Sequence, residues 1–259
     1  MKIGIIGCGN MASAIARGLS VADHSIEFYC YNRSPEKAQN LANDISGKFC
    51  QKLNELDGCD FLLLGVKPQN LNDVAIEINQ AIKIKTHLVS MLAGKSLEVL
   101  AKTFPHLTVT RIMPNLPMLV GEGINLTIHH SQTSPTLSQK IEKMLSHISL
   151  VVPLTTEEQF DYAMMVTASG PAYLFEIARI LETALEQKNI PNAHEIAAKL
   201  FVGSSQLMQE DFATLRNQIT SKGGVTEKAL AELAKNNLEN NFKQALENGF
   251  NHAQALNKA

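Results

Sequence analysis

Close to its start the chain reads Gly7-Cys8-Gly9-Asn10-Met11-Ala12, a G-x-G-x-x-G/A spacing. In such a run the first glycine makes a tight turn, and the second lets a ligand approach the backbone. The third, small position lets a helix pack on a strand. The chemistry this equips is the cradling of a pyrophosphate, because a helix N-terminus offers unpaired N–H groups and the positive end of its dipole. The run follows an apolar segment, Lys2 to Ile6, and precedes the helical spacing of Ile15 and Leu19. That context selects a dinucleotide site over a bare glycine turn. Sites for NAD place an acid about 20 residues further on, at the end of the second strand, to hold the ribose hydroxyls. Here the residues are Tyr31-Asn32-Arg33-Ser34, with no acid among them. Arg33 can pair with a 2′-phosphate and Ser34 can donate to it, so NADPH is the expected cofactor and NADH the alternative. The same residues also read as a turn and a helix cap before Pro35.

Further along the same edge, Val66-Lys67-Pro68 closes the apolar run that begins at Phe61. Lys67 reads equally well as a neighbour of the nicotinamide ribose or as a solvated loop lysine. Asn54 and the small residues Ser90 to Gly94, Ala93 among them, are further cofactor-contact candidates. A second polar cluster lies in the C-terminal part: Ala168-Ser169-Gly170-Pro171 and Thr220-Ser221-Lys222-Gly223-Gly224-Val225-Thr226. Each precedes a helical pattern, so each sets hydroxyls and unpaired amides at a helix start, a receptor for a small carboxylate. Either loop alone reads as ordinary capping, with Thr226 as an N-cap. Two of them beside a dinucleotide site favour substrate binding by Ser169, Gly170, Pro171, Ser221, Gly223, Gly224, Val225 and Thr226. No Ser-His-Asp or Cys-His constellation stands out, and the eight histidines are scattered. Cys8, Cys30, Cys50 and Cys59 form no CxxC pair and have no histidine at zinc-ligand spacing, so they read as buried reduced thiols with no metal.

The elements that must position these residues follow from periodicity. Strands are expected at Lys2–Ile6, Ile26–Tyr31, Phe61–Val66, His87–Met91, Thr108–Met113 and Ile124–Ile128. Helices are expected to start near Asn10, Pro35, Gln69, Ser96 and Ser134. Alternation at this pitch gives an α/β, doubly wound and mostly parallel sheet over residues 1–153. After Pro153 the strand signal stops, and residues 154–259 read as all-α. Leu174, Ile177, Ala178, Leu181 and Leu185 form one stripe, and Ile196, Leu200, Gly203 and Leu207 a second. Leu230, Leu233, Ala234, Phe242, Ala245 and Leu246 form a third. Phe175 and Ile180 are apolar on the opposite side of the first helix, so it must be covered all round, which predicts a homodimer interface.

Across 259 residues, 23 Lys plus Arg stand against 25 Asp plus Glu, a net charge of −2. That excludes a binder of nucleic acid by broad phosphate neutralisation. An apolar fraction of 45% excludes disorder. There is no run of 18 or more apolar residues, which argues against a membrane span. The first residues do not form a secretory signal, and the expected location is the cytoplasm.

Together these segments resemble the pyrroline-5-carboxylate reductase family over essentially the whole chain. The resemblance rests on Gly7 to Ala12, Asn32-Arg33-Ser34, Val66-Lys67-Pro68-Gln69, Arg111-Ile112-Met113-Pro114-Asn115-Leu116-Pro117, Ser169-Gly170-Pro171-Ala172-Tyr173, and Leu215-Arg216 through Thr226. It implies a Rossmann domain and a helical domain that interlocks into dimers, which in many members assemble into decamers. It implies hydride transfer from NADPH to the imine carbon of 1-pyrroline-5-carboxylate, giving L-proline. The amides of Gly223, Gly224 and Val225 would hold the substrate carboxylate, and Thr226 would be the catalytic residue beside the imine nitrogen. The chain departs from the family in having Lys222 for a proline, Val225 for a threonine, Asn217 for an acid and Ala168 for a glycine. The competing readings are another NADPH-dependent imine or β-hydroxyacid reductase on this scaffold, or a non-catalytic nucleotide-binding paralogue. The first is weakened on its hydroxyacid side because no lysine follows Gly170 before Lys188.

Overall fold

The computed structural model describes residues 1–84 and 86–258. Eight strands form one sheet: β1 (Lys2–Ile6), β2 (Glu27–Tyr31), β3 (Lys48–Phe49), β4 (Phe61–Leu64), β5 (His87–Ser90), β6 (Thr108–Pro114), β7 (Gly123–His129) and β8 (Ser149–Pro153). Their order is β3-β2-β1-β4-β5-β6-β7-β8. All neighbours are parallel except β6 and β7. The exception has a local cause. Between β6 and β7 the chain makes only a 3-10 turn, Leu116–Val120, ending at Gly121 with φ +80°. A connection that short cannot carry a crossover helix, so the strand returns antiparallel. Asn115 fixes the return by accepting the Ile124 N–H at 2.8 Å.

The helices of this part are α1 (Asn10–Ala22), α2 (Pro35–Asp44), α3 (Leu71–Ala81), α4 (Leu97–Thr103), α5 (Pro135–Ser146) and α6 (Glu157–Thr167). Ser96, Ser134 and Thr156 cap α4, α5 and α6 through their hydroxyls. The expected strands and helix starts all appear, whereas β3 and β8 were not anticipated. Ile5, Ile15, Leu19, Phe28, Leu41, Phe61, Leu63 and Ile112 are among the buried residues joining strands to helices. All four cysteines are buried and none forms a disulfide. Burial pushes the Cys50 and Cys59 thiols up to about 11 and about 12, so both are inert at neutral pH.

Two buried polar groups tie the sheet together. Arg111 on β6 is 1% exposed, paired with Glu157 and 3.7 Å from Asp161 on α6, with its guanidinium over the Phe160 ring. Glu157 also accepts the Leu97 N–H that opens α4, at 2.6 Å. At the edge where β5 and β6 begin, His129 Nε2 lies 2.9 Å from the Glu142 carboxylate and Nδ1 lies 2.7 Å from Thr110 Oγ1. His87 in turn contacts Thr110 and Thr108 at 2.8 and 2.7 Å. Since a carboxylate only accepts, a neutral His129 donates to Glu142 and accepts from Thr110, which then accepts from His87. Burial, with a smaller contribution from His129, pushes the His87 pKa down to about 3.

The chain divides into two compact units: Met1–Ser169 with the residues from Phe250 on, and Gly170–Gly249. Strands end at Pro153, but α6 stays with the sheet through Arg111 and through Asn115, whose amide donates to the Thr167 carbonyl at 3.1 Å. The second unit holds α7 (Gly170–Glu186), α8 (Ala193–Leu207), α9 (Phe212–Gln218), α10 (Val225–Lys235) and the first part of α11 (Leu238–Lys258). The third apolar stripe is thus carried by two helices and not one. Asn236 and Asn237 break it, with Asn237 at φ +57°, a left-handed conformation asparagine tolerates. Among the described residues of this unit only Ala193 and Ala197 are buried, while Leu174, Phe175 and Ile180 are 53%, 61% and 53% exposed. Such a unit lacks a core of its own and needs cover from outside. No helix among the described residues is long and apolar enough to cross a membrane.

Candidate active site

In the first unit the chain reverses direction of winding at β1, which lies between β2 and β4, and ligands of open α/β sheets bind outside the carboxyl ends of strands at such a point. Hydrogen bonds hold the three strand ends together there: the Gly7 N–H to the Tyr31 carbonyl at 3.0 Å, and the Gly65 N–H to the Ile6 carbonyl at 2.8 Å. Gly7 has φ +94°, and a Cβ on it would lie 2.8 Å from the backbone of Gly65. Gly65 is equally constrained, since a Cβ would press on Ala12 Cβ, Met91 Cε and the Gly7 carbonyl. Gly9 differs. It is the N-cap of α1 with φ −80°, and a Cβ there would meet nothing nearer than 3.9 Å. Nothing in the protein requires glycine at that position, whereas a pyrophosphate laid over the turn would. The α1 first turn, Asn10 to Ala12, carries no acidic residue to occupy its amides. These features fit a dinucleotide.

A cavity of about 280 Å³ opens at this turn, lined by Gly7, Gly9, Tyr31, Asn32, Arg33, Ser34, Lys37, Gly65, Val66, Lys67, Asn70 and Glu77, among others. Asn32 shapes the loop: its Oδ1 accepts the Cys8 N–H at 3.0 Å and its amide donates to the Ser34 carbonyl at 3.0 Å. Ser34 caps α2 without using its hydroxyl, which leaves that group for a ligand. Of the residues expected from the sequence, Gly7, Gly9, Asn32, Arg33, Ser34, Val66 and Lys67 meet in this one cavity. Pro68 begins the 3-10 turn just after Lys67. Asn54 lies exposed on the turn Leu53–Leu56, and Ala93 is exposed after β5; neither lines this cavity. Gly65, Lys37 and Glu77 were missed. Glu77 stands on α3, with one carboxylate oxygen 4.0 Å from Arg33 Nη2 and the other accepting the Tyr31 hydroxyl at 3.4 Å. Burial and Glu77 together raise the Tyr31 pKa.

In the second unit, Ser221 to Gly224 form a turn that ends at the start of α10. Gly223 has φ +74°, and the Gly224 N–H donates to the Ser221 carbonyl at 3.0 Å. A Cβ on Gly224 would collide with the Ser221 hydroxyl oxygen. The helix is capped by Gly224, so Thr226 sits inside its first turn and not at the cap. The Gly223 N–H donates to the Glu227 carboxylate at 2.7 Å, showing that this amide accepts an anionic partner. Val225 is 88% exposed. Gly170 and Pro171 are the first residues of α7, directly after Ser169.

Comparison with known proteins agrees with both halves. Residues 157–256 match the family described as pyrroline-5-carboxylate reductase dimerisation, and residues 2–94 match that described as NADP oxidoreductase, coenzyme F420-dependent. The pyrroline-5-carboxylate reductase of Haemophilus influenzae is 29% identical, with 98% of this chain and 97% of that protein covered. The structure of the Coxiella burnetii pyrroline-5-carboxylate reductase superposes with a TM-score of 0.89 at 26% identity, covering 99% and 98% of the two chains. The Plasmodium falciparum pyrroline carboxylate reductase, solved with NADP bound, shares the fold with a TM-score of 0.82 at 22% identity over 99% and 98%. The chain is an oxidoreductase with a nicotinamide-dinucleotide domain and a dimerisation domain. Matched in order along its whole length, it is similar end to end to pyrroline-5-carboxylate reductases, and its C-terminal part carries the match to their dimerisation domain.

Proposed function

We propose that this chain reduces the carbon–nitrogen double bond of 1-pyrroline-5-carboxylate with NADPH, giving L-proline at the last step of proline biosynthesis. What supports this reading most is the end-to-end similarity to the Haemophilus influenzae reductase, with no large segment of either protein left over. Bound NADPH would supply the hydride. The protein's own part is orientation and charge placement. The turn at Gly7, Cys8 and Gly9, with the amides of Asn10, Met11 and Ala12, holds the pyrophosphate. Arg33 and Ser34 take the 2′-phosphate, and Asn32 keeps their loop in shape. Lys67, between Val66 and Pro68, adds a cation to the same cavity.

The substrate carboxylate lies on the turn before α10, on the amides of Gly223 and Val225; Gly224 uses its own amide to close the turn. Glu227 must yield the Gly223 amide to it. An imine accepts hydride well only with its nitrogen protonated or hydrogen-bonded, and Thr226 Oγ1 is the donor placed there. Ser169, Gly170 and Pro171 form part of the pocket wall. The working species is a homodimer, able to assemble further into a decamer, and its buried reduced thiols suit the cytoplasm. The test is NADPH oxidation by the purified protein with 1-pyrroline-5-carboxylate, followed by absorbance, with L-proline identified as product. Oxidation with other cyclic imines but not with this one would assign the scaffold to a different substrate.

A further inference from the structure

The adenosine end of the cavity is not purely cationic. Arg33, Lys37 and Lys67 line it, and Glu77 brings one carboxylate among them from α3. Sites for NAD take their acid from the end of the second strand, where it receives hydrogen bonds from the ribose hydroxyls. This chain has Asn32 and Arg33 there, and the acid comes in space from a different element. The tyrosine ending β2 holds it: the Tyr31 hydroxyl donates to one Glu77 oxygen at 3.4 Å. The other oxygen stands 4.0 Å from Arg33 Nη2, beyond hydrogen-bond reach, so the guanidinium remains available to a phosphate. A 2′-phosphate that pairs with Arg33 brings close to two negative charges beside this carboxylate. A ribose with free hydroxyls brings donors instead.

From this juxtaposition we infer that Glu77 is the residue that sets cofactor discrimination: it accepts from the ribose hydroxyls of NADH and opposes the 2′-phosphate of NADPH. The inference rests on the reading that this cavity takes the adenosine end of the cofactor. Glu77 and Arg33 then act as an opposed pair, the guanidinium favouring the 2′-phosphate and the carboxylate the free ribose.

The experiment is fluorescence titration of the intact protein and of Glu77→Ala with NADPH and with NADH. Removing the carboxylate should tighten NADPH roughly three- to tenfold at low salt. It should weaken NADH by a similar factor, because a charged acceptor is lost. The NADPH gain should shrink as salt is raised to about 0.5 M, since the partners are exposed and the Debye length shortens. Glu77→Gln removes the charge with nearly the same shape, and should give the same NADPH gain with a smaller NADH loss. A merely structural role would move both dissociation constants in one direction, and parallel changes, or none, overturn the inference while leaving the cavity as the cofactor site. Failure of the unsubstituted protein to bind either nucleotide would overturn the cavity reading itself.

Discussion

Gly7 and Gly9 lie two residues apart in one turn, yet the structure asks different things of them, and substituting alanine at each separates folding from binding. Gly9 is extended backbone with φ −80°, and an added Cβ would make only an ordinary contact with the Gly65 carbonyl oxygen. Alanine is a poorer N-cap than glycine, so Gly9→Ala should cost up to ~1 kcal/mol. In a unit of this size that lowers the melting temperature by about 2–4 °C. The same methyl stands where a pyrophosphate oxygen must approach. Losing one charge-assisted hydrogen bond of about 1.5–3 kcal/mol should weaken NADPH roughly ten- to hundredfold. At Gly7 the order reverses. There φ is +94°, and the Cβ would press within 2.8–2.9 Å of the Gly65 and Val66 backbone. Backbone strain of about 1–3 kcal/mol adds to overpacking of about 1–3 kcal/mol, a large share of a typical domain's stability. Gly7→Ala should therefore lower the melting temperature first and lose cofactor as a consequence. Calorimetry and fluorescence titration on the two variants decide the matter. If Gly9→Ala binds NADPH as tightly as the parent, no pyrophosphate crosses that turn.

Thr226→Ala should reduce turnover on 1-pyrroline-5-carboxylate by roughly 10- to 100-fold, as for a lost hydrogen-bond donor to a reacting atom, with the NADPH dissociation constant unchanged; equal turnover in parent and variant removes Thr226 from the chemistry. His87 has a folded pKa of about 3 against 6.5 in the open chain. Below pH 6.5 the unfolded state therefore binds a proton that the folded state refuses, and stability is lost as the pH falls from 6.5 towards 3, by roughly 4–5 kcal/mol at most. Denaturant unfolding across that range should show a shallower fall for His87→Gln than for the parent. Ile180→Glu places a charge on an exposed apolar face of α7, and should shift the protein to monomers in analytical ultracentrifugation and lower its melting temperature; an unchanged dimer would mean that another face is covered.

Local signals carried much of this architecture. β1, β2 and β4 to β7 announce themselves as apolar runs bounded by glycine, proline or asparagine, and Gly7 to Ala12 combines a motif with its strand and helix context. β3 is only two residues long, too short for periodicity to register, and β8 is an edge strand whose pairing with β7 depends on a distant partner. The stripe from Leu230 to Leu246 reads as one helix because its apolar spacing runs across Asn236 and Asn237, where the left-handed backbone, invisible to hydropathy, ends α10. The site divides the same way. Arg33 and Ser34 were legible from what the end of β2 lacks, while Gly65 and Glu77 belong to no local motif and matter only because the sheet brings β4 and α3 beside β1 and β2. The turn at Gly223 and Gly224 was legible as a turn. Its engagement by Glu227 required the first turn of α10 to exist, which moved the helix start two residues upstream of the expected Glu227.

The helical unit, with two alanines as its only buried apolar residues among those described, obeys mass action. If a second copy supplies its missing interior, each tenfold dilution withdraws about 1.4 kcal/mol of support from the pair. The sheet unit, closed around Ile5, Phe61 and Ile112, feels no such tax. Thermal scans over a concentration series should then resolve two events, an early one that climbs with the amount of chain and a later one that stays fixed. In a cell, the amount synthesised would govern how long the helical half survives, and not merely how much of it there is.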